Sequence, residues 1–251
     1  MIRVKKINIE LIFIIYSITD IYYILNDQNY ILINESFTIT ANSEITIYFK
    51  EKIKSIEHFF DSEYDPNVEN ITQIDLSNLL SDNLVKTNSL FKGCNSLKLI
   101  NLTFLNKVSL INMDSMFTGC SLLESIDFSY INTSTTTNMH SLFSGCSLIK
   151  EINLSNFNVK SLTSMNSMFK NCSSLEEIIL PEFNSEKETD ISYMFAGCSS
   201  LKSLNISVFK KLIASKMESM FTGCNSIQLL NLSEIKTSSV TNMSHLFEEC
   251  S

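Results

Sequence analysis

The seven cysteines of the chain stand at one constant interval, and this spacing constrains the fold more than any other feature. Each cysteine ends a short phrase that begins Met-Phe or Leu-Phe, and consecutive cysteines are 26 residues apart. All five glycines directly precede a cysteine. Self-similarity at a fixed period of this length is the signature of a stacked repeat protein, in which each unit buries its apolar side chains against its neighbours.

The first half of each repeat has the alternating pattern of a β-strand. Large apolar residues stand six and eight positions after each cysteine, as Ile100 and Leu102 do, and the position between them is polar in every repeat except at Ile179. Such alternation predicts a strand with one buried face. Because the strands recur at the repeat period, we expect them to align as a parallel sheet, with neighbours about 4.8 Å apart.

The second half of each repeat has the spacing of a short helix. Met113, Met116, Phe117 and Cys120 stand at i, i+3, i+4 and i+7. A hydroxyl residue such as Thr137 is suited to cap the start of the helix, and the glycine favours the left-handed turn that ends one. Helix axes need about 8–10 Å and strands only about 4.8 Å, so the stack should curve with the sheet inside. The prediction is an α/β repeat solenoid with a concave parallel sheet and short helices on the convex side.

The phenylalanine and cysteine columns are predicted to form the core. Cysteine on an apolar face is usually a small buried hydrophobe. Cysteines this far apart in sequence cannot form the close pairs of a zinc ribbon, and an odd number at strand spacing argues against disulfides. A redox or metal role is the alternative. The predicted structural core consists of Phe91, Cys94, Phe117, Cys120, Phe143, Cys146, Phe169, Cys172, Phe195, Cys198, Phe221, Cys224, Phe247 and Cys250.

Composition and period divide the chain into three segments. Residues 1–20 are a candidate secretory signal, although polar residues interrupt its apolar run and no small-residue cleavage site follows. Residues 21–67 are predicted to form a β-rich N-terminal cap. Residues 68–251 form the repeat array, in which Val68 stands where the first cysteine would be. The array stops where another strand should start, so we expect either a fragment of a longer protein or a partner that covers this end.

Two features define the predicted cap. Residues Ile21–Leu25 and Tyr30–Ile33 flank a turn-prone stretch, which predicts a β-hairpin. Residues Glu44–Phe60 carry the apolar spacing of a degenerate repeat, but an excess of five residues before Val68 breaks the period.

The pattern Leu-x-x-Ile-x-Leu, as in Leu97–Leu102, resembles the core of leucine-rich repeats. Together with the Met-Phe-x-x-Cys phrase, it is similar to the BspA-type leucine-rich-repeat surface proteins over residues 68–251. The resemblance implies a solenoid, secreted or anchored at the surface, that adheres to host proteins, matrix or other cells. Eleven positions after the cysteine the chain is apolar where many leucine-rich repeats carry asparagine. The repeat that starts at Cys172 also departs from the pattern, at Asn171, Ile179, Pro181 and Ile191.

The candidate ligand face follows from the predicted strands. The position five after each cysteine varies between repeats, and its side chain should point outward from the concave sheet. The candidate contacts are Gln73, Leu99, Ser125, Glu151, Glu177, Ile179, Ser203 and Leu229. One position earlier the charge alternates between lysine and glutamate from Lys98 to Lys202, which should favour correct register. The uniform asparagine and serine columns are predicted to form hydrogen-bonded ladders between repeats.

The same features exclude several functions. A net charge of −8 without a basic cluster argues against nucleic acid. His58, His140 and His245 occupy different repeat offsets, and no glycine-rich phosphate loop occurs, so we predict no catalytic set, cofactor or metal. No apolar stretch approaches the length of a membrane span.

We therefore expect a non-enzymatic adhesion module, extracellular or at the cell surface, that binds protein or glycan on its concave face. The alternative is an intracellular scaffold in the cytoplasm for a regulatory protein. The sequence does not indicate an oligomeric state.

Overall fold

The structure is a computed structural model of the 251-residue chain. Before residue 50 it describes only the backbone of the strands, so most of the candidate signal at residues 1–20 lies outside the described residues. Only the backbone is described for Asn67, Asn70, Gln73 and Asp75. The described residues are 2–7, 11–12, 21–26, 29–31, 38–39, 43–49, 56–64, 66–75, 84–106, 108–185 and 187–250.

Four of the described N-terminal strands form an antiparallel sheet that continues into the repeats, and the other two pair separately with each other. The predicted hairpin is confirmed, because β3 and β4 pair antiparallel with Asn26 opposite Asn29. Strand β6 lies between β3 and β1, and β1 in turn pairs with the first repeat strand. The six strands are β1 (Ile2–Ile7), β2 (Leu11–Ile12), β3 (Ile21–Asn26), β4 (Asn29–Ile31), β5 (Thr38–Ile39) and β6 (Ser43–Phe49).

Four short strands occupy the positions predicted for the repeat sheet. They are β7 (Gln73–Asp75), β8 (Leu99–Asn101), β9 (Glu151–Asn153) and β10 (Glu177–Ile179). β7 pairs with β8 and β9 with β10, both parallel, and partners differ by one repeat, as Glu177 and Glu151 do. The predicted strand position is thus correct to within one residue in these four repeats. Residues 125–127, 203–205 and 229–231 form no strand, and β7–β8 and β9–β10 belong to separate sheets, so the predicted continuous sheet is wrong.

A second parallel ladder, which the sequence reasoning missed, lies eight residues before each cysteine. It comprises β11 (Glu188–Asp190), β12 (Ile213–Lys216) and a series of single bridges such as Asn112 to Asn138. Neighbouring repeats are therefore held together along this second strip and, at β7–β8 and β9–β10, along the predicted strands as well.

The predicted helices are wrong. We call the eight residues that end at each cysteine the turn arm, for example residues 113–120. Alternate amides in this arm, at Met113, Ser115, Phe117 and Gly119, donate to carbonyls of the next repeat at 2.7–3.0 Å. The amides between them close tight turns within the arm, and Ser115 and Gly119 have positive φ. An α-helix over these residues would instead bond the amides of Phe117 and Gly119 to carbonyls four residues earlier in the same arm, and the bonds between repeats replace that pattern.

Helical segments in the described part of the chain are short 3₁₀ turns instead. They span Pro66–Asn70, Thr103–Leu105, Ile206–Phe209 and Leu232–Glu234. The predicted curvature assumed that α-helices make the side opposite the strands wider than the strand side. Because the described repeats contain no α-helix, that reason for curvature no longer applies.

The predicted helix caps also act differently. The hydroxyl groups of Thr137, Thr163 and Thr241 donate to carbonyls of the preceding repeat. The turn is instead started by the next residue, as where Asn138 Oδ1 accepts the amide of His140 at 2.9 Å. These polar side chains therefore stabilise the stacking of repeats and the turns, not helix ends.

The core is organised around a continuous phenylalanine stack. From Phe60 to Phe247, consecutive rings have centroids 5.4–5.8 Å apart and planes within 20° of parallel. The rings from Phe60 to Phe221 are almost fully buried. The core prediction is wrong for Phe247, which is 46% exposed, and for Cys250, which is also exposed. Phe247 stacks on Phe221 at a centroid distance of 5.7 Å.

Candidate functional site

The candidate ligand residues lie on one exposed surface, which we call the strand face: the positions five and seven residues after each cysteine. In β8, β9 and β10 the outer two residues are exposed, and the middle one is buried or half-buried against the core. Only the backbone of Gln73 is described. The other seven candidates, all exposed, are Leu99, Ser125, Glu151, Glu177, Ile179, Ser203 and Leu229.

The charges beside the strand face are only partly paired. Lys202 forms an ion pair with Glu176 of the neighbouring repeat, and this contact lowers the pKa of Glu176 and raises that of Lys202. Elsewhere in the described alternating column, Lys98, Glu124 and Lys150 form no ion pair within 4 Å. An exposed pair contributes little stability, so the alternation is a weak determinant of register.

The predicted asparagine ladder is wrong. Each side chain in this column accepts the backbone N–H two residues further on, at 2.9–3.1 Å, and so closes a turn within its own repeat. Asp127 also accepts the Ser129 hydroxyl at 2.6 Å, and these bonds lower the pKa of Asp127. Ile179 lacks such a side chain, which leaves an apolar position in an otherwise polar column. The residues with this turn are Asn101, Asp127, Asn153, Asn205 and Asn231.

The cysteines form a hydrogen-bonded column inside the stack. Each Sγ lies 3.0–3.3 Å from a phenylalanine carbonyl oxygen of the preceding unit, and Cys120 donates in this way to Phe91. All seven cysteines are free, and all but Cys250 are buried. Burial raises the pKa of Cys146 well above its usual value and that of Cys224 to about 12. Since the thiolate is the reactive form, these thiols are protected chemically as well as sterically.

We expect a thiol reagent to modify one cysteine per chain in the native protein, Cys250, and the other six only after denaturation. The measurement is thiol counting with and without denaturant under non-reducing conditions. A Cys250→Ser variant serves as the control and should show no native reaction. Rapid modification of several cysteines in the native chain would contradict the buried column.

The histidines are dispersed among separate contacts. His58 Nδ1 lies 2.6 Å from Asp61, His140 lies 3.1 Å from the Ser141 hydroxyl, and His245 lies 3.2 Å from Glu248. In the described part of the chain, we find no group of three or more acidic, histidine or cysteine residues that could hold a metal ion. Nor does any described helix have the length and hydrophobicity that crossing a bilayer requires.

One exposed apolar pair escaped the sequence reasoning. Leu122 and Leu148 stand two residues after consecutive cysteines and are 37% and 41% exposed. Most other repeats carry serine at this offset. The two leucines in a column of serines could have indicated this exposed apolar pair from the sequence.

Comparison with known proteins gives a family and one distant structural likeness. A family model described as "Mycoplasma protein of unknown function, DUF285" matches residues 85–209 and 179–251. The fold is similar to the crystal structure, at 1.19 Å, of a leucine-rich repeat protein from Bacteroides ovatus ATCC 8483, with 20% identity and a TM-score of 0.48. The likeness covers 84% of this chain and 51% of that chain, so this chain spans about half the length of that protein. No curated protein matches the sequence.

Proposed function

The chain belongs to the DUF285 family. We propose that it is a non-enzymatic binding module with its ligand site on the strand face. The observation that carries this proposal is the exposure of three large apolar side chains on that face. Leu99 is 56% exposed, Ile179 55% and Leu229 85%. Leu99 and Ile179 lie on β8 and β10, and Leu229 stands at the same repeat position as Leu99, so each presents apolar surface that a ligand spanning several repeats can bury.

The pattern of variation supports the same face. The inward positions of the strands keep isoleucine or leucine, whereas the position five after the cysteine changes among leucine, serine and glutamate. A constant scaffold that presents different side chains in each repeat is how repeat proteins build extended, specific binding surfaces.

We further propose that the array is a solenoid of the leucine-rich-repeat type, with the strand face on its concave side. The resemblance of its motifs to BspA-type surface proteins favours an adhesive module, secreted or at the cell surface, that recognises protein or glycan. The ligand class in this proposal comes from the resemblance, and the location of the site comes from the exposed residues.

A second candidate is an intracellular scaffold that uses the same face for a regulatory protein. The observation that favours it is the column of free cysteines without a disulfide. Free thiols are usual in reducing compartments and less so in secreted proteins. Protease treatment of intact cells separates the two candidates, because only a surface protein is degraded while the cells remain closed.

To test the face, wild type and Glu151→Ala/Glu177→Ala are compared on arrays of immobilised proteins and glycans. We expect the double variant to bind the captured ligand about ten-fold more weakly, since two central contacts are lost. Glu188→Ala, an exposed glutamate on β11, is the matched control and should bind as wild type does. Circular dichroism checks that all variants keep their fold. Equal binding by all three proteins would reject the strand face as the site.

A further inference from the structure

Two glutamates on the strand face lie directly opposite each other. Glu151 and Glu177 are register partners in the parallel strands β9 and β10, and both are exposed. Neighbouring strands are about 4.8 Å apart, so like charges at opposed positions repel and lower stability. Among the described residues, neither carboxylate forms an ion pair within 4 Å. This face therefore holds two opposed carboxylates, neither of which has an ion-pair partner within 4 Å in the described structure.

Lys202, which lies close enough to Glu177 to sense its charge, is already engaged by another carboxylate. Glu177 contributes to the raised pKa of Lys202, but the ammonium group of Lys202 is hydrogen-bonded to Glu176. A slight rearrangement of Lys202 toward Glu177 would break that bond and leave Glu176 unpaired. Lys150, which is exposed beside Glu151, also forms no ion pair within 4 Å with either glutamate, so neither carboxylate of the pair is bound to a cation in the described structure.

The preceding repeat extends the negative surface. Glu124 and Asp127 are exposed on it, and the bonds from Ser129 lower the pKa of Asp127 and keep it ionised. The centre of the strand face thus carries acidic groups in three consecutive repeats.

Apolar side chains flank this acidic centre. Ile179 lies two residues after Glu177 on the same side of β10, and Leu229 stands at the position of Glu177 two repeats further along. Leu99 occupies the equivalent position on the other side of the acidic repeats. A ligand that spans the centre therefore meets carboxylates in the middle and exposed apolar surface at both ends.

This inference rests on the proposed function of the strand face. We propose that the ligand is an extended segment of a partner protein whose lysine or arginine side chains lie over Glu151 and Glu177 and whose apolar side chains pack on Ile179 and Leu229. Basic groups remove the repulsion between the two glutamates, which a neutral glycan does not do, and the negative surface repels nucleic acid. In an extended segment, side chains on one side recur about every 6.6 Å, so two long basic side chains two positions apart can each reach one of two glutamates that are about 4.8 Å apart.

The test uses three fluorescent peptides and measures binding by polarisation at low and physiological salt. The first probe is Ser-Leu-Ser-Lys-Ser-Lys-Ser-Leu-Ser, whose leucine and lysine side chains lie on one side of an extended chain; the second has glutamate in place of lysine, and the third has serine in place of leucine. We expect the first to bind, the second not to bind, and the third to bind more weakly. Affinity for the first should fall as salt rises, because the contact is partly electrostatic.

Variants locate the contact. Glu151→Gln/Glu177→Gln should weaken the first peptide about ten-fold, and Leu229→Ser should weaken it several-fold. Glu188→Gln/Glu249→Gln removes the same net charge away from the strand face and should bind as wild type does. Without peptide, Glu151→Gln/Glu177→Gln should unfold at a higher urea concentration than wild type, because the repulsion is gone.

The failures of the two proposals differ. Suppose that Glu151→Ala/Glu177→Ala no longer binds the ligand captured on the array, and that this ligand is a glycan or an acidic protein. The strand face then stands as the site, and the basic partner is rejected. The same conclusion follows if the glutamate peptide binds best and its binding requires Leu229. Equal binding of the lysine peptide to wild type and Glu151→Gln/Glu177→Gln, or no binding at all, also rejects the basic partner. The proposed function falls only if the array ligand is insensitive to the strand face.

Discussion

The free energy of unfolding should fall steeply above about pH 9, by about 8 kcal/mol per pH unit at the steepest, because six buried thiols keep their protons in the folded chain. Unfolded thiols have a pKa of about 8.5. In the folded chain burial raises the pKa of Cys120, Cys146, Cys172 and Cys198 well above that value, raises Cys94 similarly, and raises Cys224 to about 12.

The sign follows from proton linkage. A group whose folded pKa exceeds its unfolded pKa contributes its full stability below the unfolded value and loses it as the pH rises toward the folded value. Above about pH 8.5 the unfolded chain binds fewer protons than the folded chain, so alkali favours unfolding. Each thiol contributes about 1.4 kcal/mol per pH unit, and a domain with a stability of about 10 kcal/mol reaches its midpoint near pH 10.

Urea unfolding followed by circular dichroism between pH 7 and pH 10.5 measures this slope under reducing conditions. Cys146→Ala is the control: its slope should be smaller by the contribution of one thiol, about 1.4 kcal/mol per pH unit. Below pH 8 that variant should be less stable than wild type, because the bond from Sγ to the Phe117 carbonyl is lost. A stability that stays constant between pH 8 and pH 10 would show that the thiols are accessible or paired.

The strands and the core could be predicted because they depend on burial, which the sequence encodes directly. Alternation around Ile100 and Leu102 determined which side chains point inward, and the repeat period placed equivalent residues beside each other. Outward exposure of the strand face followed from the same alternation. These features need only the hydrophobic pattern and a fixed period.

The turn arms could not be predicted from that pattern, because two structures bury the same residues. Met113, Met116, Phe117 and Cys120 are all fully buried, as a helix would also bury them. The difference lies in the backbone amides, which alternate between bonds to the next repeat and tight turns within the arm instead of following a helical pattern. The arm's shortness was a usable signal, since segments of eight residues form marginal helices.

The pairing on the strand face depends on side-chain choices that the sequence leaves open. The register of Glu151 and Glu177 follows from the repeat period. Lys202, however, can pair with either of two consecutive glutamates in the neighbouring repeat, Glu176 or Glu177. Its bond to Glu176 leaves Glu177 without an ion pair within 4 Å in the described structure. The asparagine turns had a clearer signal, because Asn-x-Ser and Asn-x-Thr recur where the side chain accepts the amide two residues on.

Phe143→Ala should lower the free energy of unfolding by about 3–5 kcal/mol, among the largest effects of any single substitution in the array. Phe143 is fully buried, and its ring stacks between those of Phe117 and Phe169 at 5.8 and 5.7 Å. Phe128 also contacts it edge-on at 5.3 Å. Truncation removes the buried ring and leaves a cavity between two rings that the backbone bonds of the repeats hold in place.

Phe247→Ala is the matched control, since the same residue type in the same column has one stacking neighbour and is 46% exposed. We expect it to cost less than about 1.5 kcal/mol in urea unfolding. Phe117→Ala/Phe143→Ala should cost less than the sum of its single variants, by about 0.5–1.5 kcal/mol, because the two rings share one contact. Phe143→Ala/Phe247→Ala should instead be additive, because these two rings do not touch. Equal costs for Phe143→Ala and Phe247→Ala would mean that the phenylalanine stack fills space without coupling neighbouring repeats.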